Sequence, residues 1–112
     1  MEQNANEVKT VIDYSSQLSA GAGSKSINDQ YAVAEGNVVN ICFSGYAADS
    51  AGSDAIIATI PYALMPNAGA IFFTAFDHTQ KSVLGCRIDG TNIVANNLVA
   101  GHAFWVGVTY IK

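Results

Sequence analysis

Short apolar runs, separated by turn-forming residues, make up most of the chain after position 37. Each run has the length of a β-strand, and Gly, Asn, Asp, Ser and Pro lie between the runs, so the pattern predicts six strands. The runs are residues 38–46, 55–61, 70–77, 82–89, 92–99 and 103–112. Asp89-Gly90 is the sharpest turn signal, because glycine supplies the positive φ that a tight hairpin requires. This spacing is typical of an antiparallel β-sandwich.

The first 37 residues fit two periods. Apolar or small residues at positions 8, 11, 12 and 15 fit a helical stripe, whereas positions 8, 10, 12 and 14 fit one face of a strand. We favour the strand. Residues 15–26 are mainly Ser, Gly and Ala, and this composition predicts a loop or a flexible connection.

The last predicted strand lacks a clearly polar face. One face carries Phe104 and Val106, and the other carries Trp105 and Ile111. The run at residues 70–77 shows the same pattern. An antiparallel sheet normally leaves one face in water, so apolar residues on both faces predict that another subunit covers the outer face. A monomer would need the N-terminal segment as its cover.

Composition supports β structure and narrows the function classes. Val and Ile together number 20 and Leu numbers 4, and β-branched side chains favour pleated surfaces. Apolar residues reach 50% of the chain while charged residues are 12%, about half the usual charged share, so the apolar excess favours an oligomer. The net charge of −4 argues against nucleic acid and against a polybasic membrane patch. No apolar run approaches the ~18 residues of a membrane span and the N-terminus lacks the order of a secretion signal, so a soluble protein is expected.

The two cysteines indicate neither a disulfide scaffold nor a zinc site. Cys42 and Cys86 lie 44 positions apart, without Cys or His neighbours at ligand spacing. A zinc set that adds His78 and His102 would require four distant segments to converge. We therefore expect reduced, packed thiols and no metal.

Five motifs in the predicted strands and the connections beside them form a series that is similar to a known family. They are Glu35-Gly36-Asn37-Val38-Val39-Asn40-Ile41, Ile57-Ala58-Thr59-Ile60-Pro61, Met65-Pro66, Phe72-Phe73-Thr74-Ala75 and Trp105-Val106-Gly107-Val108-Thr109-Tyr110-Ile111. This series resembles the C-terminal head domain of tail fibres and receptor-binding proteins from phages and prophages. The resemblance covers residues 35–112, and none of its motifs is catalytic.

The resemblance implies a homotrimeric, jelly-roll-like β-sandwich at a virion tip, assembled in the bacterial cytoplasm, that binds a cell-surface polysaccharide or other glycan. Residues 35–112 would form this head, and residues 1–34 a stalk-like or capping segment. No enzymatic activity and no cofactor are expected. The alternative is a C-terminal folding and trimerisation module of a fibre that has no ligand of its own.

Two groups of residues have the types used in catalytic or metal sites, but neither forms a specific motif. Asp49 and Asp54 flank a small-residue loop and could form a glycosidase pair or a calcium site, although solvated loop carboxylates are the simpler interpretation. Asp77-His78 with Ser44, Ser53 or Ser82 could suggest a hydrolytic triad, but the chain has no Gly-x-Ser-x-Gly elbow. A polar loop tip that contacts a ligand is the better interpretation of Asp77-His78.

Three aromatic residues are candidates for stacking on a sugar. Trp105, the single tryptophan, lies inside the last apolar strand, which favours packing in the core or at a subunit interface. Tyr46 and Tyr62 lie at strand ends beside turn residues and are expected to be more exposed.

Strand parity assigns the connections to two ends of the fold. Six antiparallel strands that each cross once place connections 47–54, 77–81 and 99–102 at one end, and connections 62–69 and 89–91 at the other, where the chain enters through Asn37. The first end is therefore distal, and its mixed polar side chains suit a hydroxyl-rich ligand. The candidate ligand-binding residues there are Asp49, Ser53, Asp54, His78, Gln80, Lys81 and His102, together with Tyr46 at the margin.

Overall fold

A computed structural model describes residues 10–112, and these residues form one antiparallel sheet of nine strands. The strands are β1 (Val11–Asp13), β2 (Ser19–Ala20), β3 (Ser24–Glu35), β4 (Val38–Ala47), β5 (Ser53–Thr59), β6 (Ile71–Asp77), β7 (Ser82–Asp89), β8 (Asn92–Asn97) and β9 (Ala103–Ile111). Their order in the sheet is β1-β3-β4-β9-β6-β7-β8-β5-β2. The predicted all-β, antiparallel class is confirmed, and the sheet curls into a half-barrel around its core.

The six predicted strands correspond to β4 through β9, with bounds that differ by at most two residues. The predicted hairpin at Asp89-Gly90 is also confirmed. Gly90 has a φ of 62°, and Asp89 pairs directly with Asn92 across the turn. The length of the apolar runs and the turn residues between them were sufficient to locate these strands, and in β4, β6 and β7 the buried residues alternate along much of the strand.

The described part of the N-terminal segment, from residue 10 onward, also contributes strands to the sheet. The preferred strand interpretation is confirmed for residues 11–13, which pair with the end of β3; position 8 lies outside the described residues. The boundary expected between residues 34 and 35 falls inside β3, which pairs along most of β4. The loop predicted over residues 15–26 is wrong in two places, since 19–20 form β2 and 24–26 begin β3.

Close approach to β5 explains two glycines of this segment. A Cβ atom on Gly21 would lie 2.2 Å from the carbonyl oxygen of Ile56, and one on Gly23 would lie 2.8 Å from the Cβ of Ala55. The Gly23 N–H donates to the Ile56 carbonyl at 2.7 Å, and the Gly23 carbonyl accepts from Ala48 at 2.9 Å. Gly23 therefore joins β5 to the end of β4, where the curled sheet comes round on itself.

The core fills the inside of the curl. Ile41, Ile57, Leu64 and Phe104 have no solvent exposure, and the rings of Phe43 and Phe104 meet edge to face with centroids 6.3 Å apart. Burying such side chains contributes about 1.5–3 kcal/mol each to folding.

A buried hydroxyl ties β9 to the connection between β5 and β6. The Tyr110 hydroxyl donates to the Leu64 carbonyl at 2.6 Å, and burial raises the pKa of this phenol. Leu64 ends a short 3-10 turn, Tyr62–Leu64. The bond therefore anchors that turn against the last strand.

Both cysteines are free thiols, as predicted. Cys86 is packed in the core, and burial raises its pKa to about 12. Cys42 is exposed, so the prediction of a packed thiol is wrong at this position. The reason is the alternation of β4, which places Cys42 on the outer face between buried Ile41 and Phe43.

Large apolar side chains remain on the outer face of the sheet. The exposed fraction is 71% for Ile111, 75% for Phe72 and 72% for Val83. Trp105 is 52% exposed and points outward between buried Phe104 and Val106, so of its two predicted locations, the core and a subunit interface, the core is wrong. The two-sided apolar pattern thus corresponds to a core face and an uncovered outer face of the single chain.

Residues 10–112 contain no helix that is long and apolar enough to cross a membrane.

Candidate functional site

Three connections meet at one end of the sheet, as strand parity predicts. The Ala47 N–H donates to the His102 carbonyl at 2.9 Å, and the His78 N–H donates to the Ala103 carbonyl at 2.9 Å. The Leu98 N–H donates to Gly52 at 3.0 Å. We call this the distal end; residues 11–13 and the turn at residues 36–37 lie at the opposite end.

A buried carboxylate fixes the distal connections. Asp77 is only 4% exposed, and its Oδ2 lies 2.8 Å from Nδ1 of His102. Its Oδ1 accepts from the Gln80 N–H at 2.9 Å, while Thr79 Oγ1 accepts from the Ala103 N–H at 2.8 Å. Burial by itself raises the pKa of the Asp77 carboxyl, but the hydrogen bonds from His102, Gln80 and Thr79 and the positive charge on His102 outweigh it, so the net shift is downward.

The structure pairs Asp77 with His102 and not with its neighbour His78. Alternation at the end of β6 turns Asp77 inward and His78 outward. The His78 ring stacks on Trp105, with centroids 4.3 Å apart and planes inclined by 16°. Within residues 10–112, its shielded Nδ1 has no hydrogen-bond partner. The stack therefore fixes the ring where hydrogen bonds do not.

The stacked pair lines a groove that we call the Trp105 groove. Its volume is about 410 Å³, and it is lined by Asn28, Asp29, Ser44, Gly45, Tyr46, His78, Ala103 and Trp105. Phe76 supports the outer edge of the tryptophan, with ring centroids 6.0 Å apart. The groove combines two aromatic rings with hydroxyl, amide, imidazole and carboxylate groups.

A second cavity adjoins the first at Tyr46, and we call it the Lys25 groove. It has a volume of about 430 Å³ and is lined by Lys25, Ser26, Tyr46 and Gly101. Tyr46 is 51% exposed and lines both cavities. The two grooves therefore lie side by side at the distal end.

Irregularities in β3 place the charged residues of both grooves. The pairing with β4 shifts by one residue between Ser24 and Ser26, which leaves Lys25 as the extra residue. It shifts again between Asn28 and Tyr31, where Asp29 has a left-handed φ of 56°. Bulges of this kind re-aim side chains and are frequent beside functional sites.

The structure divides the eight candidate residues predicted from the sequence. Tyr46 and His78 line the Trp105 groove. Lys81 borders it, because its ammonium group donates to the His78 carbonyl at 3.3 Å. Gln80 and His102 hold Asp77.

Ser53 and Asp54 lie in a different part of the distal end. They line a cavity of about 220 Å³ beside Gly23 and Ser50. Asp54 pairs with Arg87 at 3.1 Å, and β5 is separated from β6 by β8 and β7, which is about 14 Å of sheet. Asp49 is exposed in the connection between β4 and β5. Asp49 and Asp54 are therefore not part of the Trp105 groove.

Sequence reasoning missed Lys25, Asn28 and Asp29, and it did not assign Trp105 to a ligand groove. The first three lie on bulges, which leave no mark in the apolar pattern. The outward direction of Trp105 was accessible from the sequence, because Phe104 and Val106 alternate with it.

The described part of the chain does not bring together the residues of a hydrolytic triad or of a metal site. Residues 10–112 contain no group of three or more His, Cys, Asp or Glu that could hold a metal ion. Over the same residues, no serine or cysteine hydrogen bonds to His102 beside its contact with Asp77. The groups that are assembled suit stacking and hydrogen bonding to a polar ligand.

No protein-family model matches the sequence, and a search of the curated proteins finds no match.

Proposed function

We propose that the protein is a non-enzymatic receptor-binding head of a phage-type tail fibre, and that the Trp105 groove binds a cell-surface glycan. The observation that carries the proposal is the exposed Trp105 ring, held against His78 in a groove with Tyr46. Apolar C–H faces of a sugar pack on aromatic rings, and sugar hydroxyls need donors and acceptors beside them. The groove offers both within one cavity.

The size and support of the groove also favour a small polar ligand. Its volume of about 410 Å³ falls within the 300–1,000 Å³ that ligand sites commonly have. The connections around it are fixed by Asp77 and His102, so binding requires little ordering of the loops. This rigidity is what a recognition site on a scaffold needs.

The proposed fold of the whole assembly is a homotrimer of jelly-roll-like sandwiches. β6 and β9 pair through only two residue pairs, Phe76 with Trp105 and Asp77 with Phe104. The sheet therefore has a part before this junction and a part after it, which supports two packed layers. The exposed apolar residues of the outer face support a covering subunit in the virion.

A second candidate function is a folding and trimerisation module without a ligand. The observation that favours it is the apolar outer surface outside the groove, where Ile111, Phe72 and Val83 are each more than 70% exposed. Under this function Trp105 would pack against a neighbouring subunit. Trp105→Ala would then change the mass of the assembly.

Glycan-array and cell-binding assays with purified protein test the two functions. We expect Trp105→Ala to weaken binding about 10-fold or more through loss of an exposed stacking ring, with unchanged mass and only a small fall in melting temperature from the lost contacts with Phe76 and His78. Tyr62→Ala is the matched control, since Tyr62 is an aromatic residue that is 78% exposed and lies outside the distal end. Binding that survives Trp105→Ala, or a mass that falls with it, contradicts the proposed site.

A further inference from the structure

We infer that the Trp105 groove and the Lys25 groove form one extended site, and that its ligand carries an acidic group next to a neutral sugar unit. The inference rests on the proposed glycan-binding function and specifies the chemistry of the glycan. The neutral unit would lie on Trp105, and the acidic group, a carboxylate or a phosphate, would lie at Lys25. Tyr46 would contact both units, because it lines both cavities.

The Trp105 groove and the Lys25 groove adjoin each other at Tyr46. They have volumes of about 410 and 430 Å³, and Tyr46, half-exposed, lines both. Together they exceed what one small polar unit fills and remain within the range of about 300–1,000 Å³ for ligand sites. A ligand of at least two linked units fits this shape better than a single one.

The positive charge of Lys25 favours an anion in its groove. Among residues 10–112, the ammonium of Lys25 makes no hydrogen bond or ion pair, whereas Lys81 donates to His78, Arg87 pairs with Asp54, and Lys112 donates to Ala63. Lys25 is an exposed residue and lines the groove, which places its positive charge beside the cavity. An ammonium beside a polar cavity favours an anion.

The opposite end of the extended site has the opposite charge. Asp29 lines the Trp105 groove, so an acidic group placed there would be repelled. The net charge of −4 also disfavours uniformly acidic polymers over the whole surface. The arrangement thus selects a glycan with its negative charge confined to the Lys25 end.

The backbone of β3 is irregular at both charged residues of the extended site. Lys25 and Asp29 both lie at register shifts of the same strand, β3, and the second shift includes the left-handed φ of Asp29. Such a φ is uncommon for a residue other than glycine and is unfavourable for it. Two irregularities that each direct a charged residue to an adjoining groove are explained if both grooves hold one ligand.

Paired oligosaccharides test the inference. The probes are uronic-acid-containing oligosaccharides, each compared with its carboxyl-reduced form, and phosphorylated oligosaccharides compared with their dephosphorylated forms. We expect the wild type to prefer one acidic class by about five- to tenfold, the size of one partly exposed charge-assisted contact. Lys25→Gln should remove the preference while binding of the neutral form persists, and the preference should fall as salt rises.

Lys112→Gln is the matched control. It removes a lysine at the end of the sheet opposite the distal end, so this variant should keep the preference for the acidic form. Equal binding of both members of every pair, or a preference that survives Lys25→Gln, overturns the inference and leaves the proposed function standing. Absence of binding to every probe and to cells overturns the proposed function, and the inference with it.

Discussion

At the scale of single residues, neighbours with similar chemistry have different roles. Asp77 and His78 are adjacent, and the sequence marks both as polar residues at a loop tip. In the structure Asp77 turns inward to His102 and His78 turns outward to Trp105. Alternation predicts that the two side chains point in opposite directions. It does not predict their partners, because His102 lies in a connection and Trp105 in a strand, each more than 20 positions away.

The lowered pKa of Asp77 predicts a pH-dependent contribution to stability. A group whose pKa is lowered by folding stabilises the fold above its ordinary pKa, near 3.8, and loses this contribution as the pH falls through its folded-state value. We expect Asp77→Asn to lower the free energy of unfolding by about 1–3 kcal/mol at pH 7, because a buried charged hydrogen bond is lost. The difference from wild type should shrink below about pH 4.

Urea unfolding at a series of pH values from 3 to 7 measures this difference. Asp89→Asn is the control, since Asp89 is exposed and lies at a hairpin. Its effect should remain within about 0.5 kcal/mol. A deficit in Asp77→Asn that stays constant across the pH series would show that the carboxylate charge is not its cause.

At the scale of elements, the sequence predicts what depends on local period and not what depends on distant contacts. β4 through β9 follow from apolar runs of strand length and from turns such as Asp89-Gly90. β2 and the start of β3 do not, because the glycines between them, which suggest a loop, are required by close approach to Ile56 on β5. The apolar pattern also does not predict the bulges that place Lys25 and Asp29, because the register of β3 is set by its partner strand β4, which is distant in sequence from the bulged residues.

The close approach predicts that glycine is required at position 21. A Cβ there would lie 2.2 Å from the Ile56 carbonyl oxygen, which forces the backbone to move. We expect Gly21→Ala to cost about 1–3 kcal/mol, the usual range for overpacking, and to lower the melting temperature by several degrees. Gly52→Ala is the control, because nothing lies within 4 Å of a Cβ at that position. Equal melting temperatures for both variants would contradict a packing role for Gly21.

At the scale of the whole molecule, the outer surface has two regions with different proposed uses. The distal end holds the two grooves, and the outer face of β4 and β9 continues from Trp105 toward Ile111 at the other end. Between them the face carries Cys42 opposite Gly107, and Asn40 hydrogen-bonded to Thr109. The sequence predicts that this face is apolar at its ends, but the number of copies that cover it depends on interfaces that one chain does not contain.

Gly107→Glu tests the proposed trimer without disturbing the single chain. Gly107 is exposed at the middle of the outer face, and the one neighbour of a Cβ there is the Cys42 sulfur at 3.8 Å, an ordinary contact. If copies pack on this face, a carboxylate from each would be buried without a partner, at a cost of several kcal/mol per interface.

We expect wild type to show a mass near three times 11.7 kDa by light scattering, and Gly107→Glu to show a single-chain mass with β-rich circular dichroism. Gly52→Glu adds the same charge at the distal end and should leave the mass unchanged. A single-chain mass for the wild type would refute the trimer, and an unchanged trimer in Gly107→Glu would place its interface elsewhere on the surface.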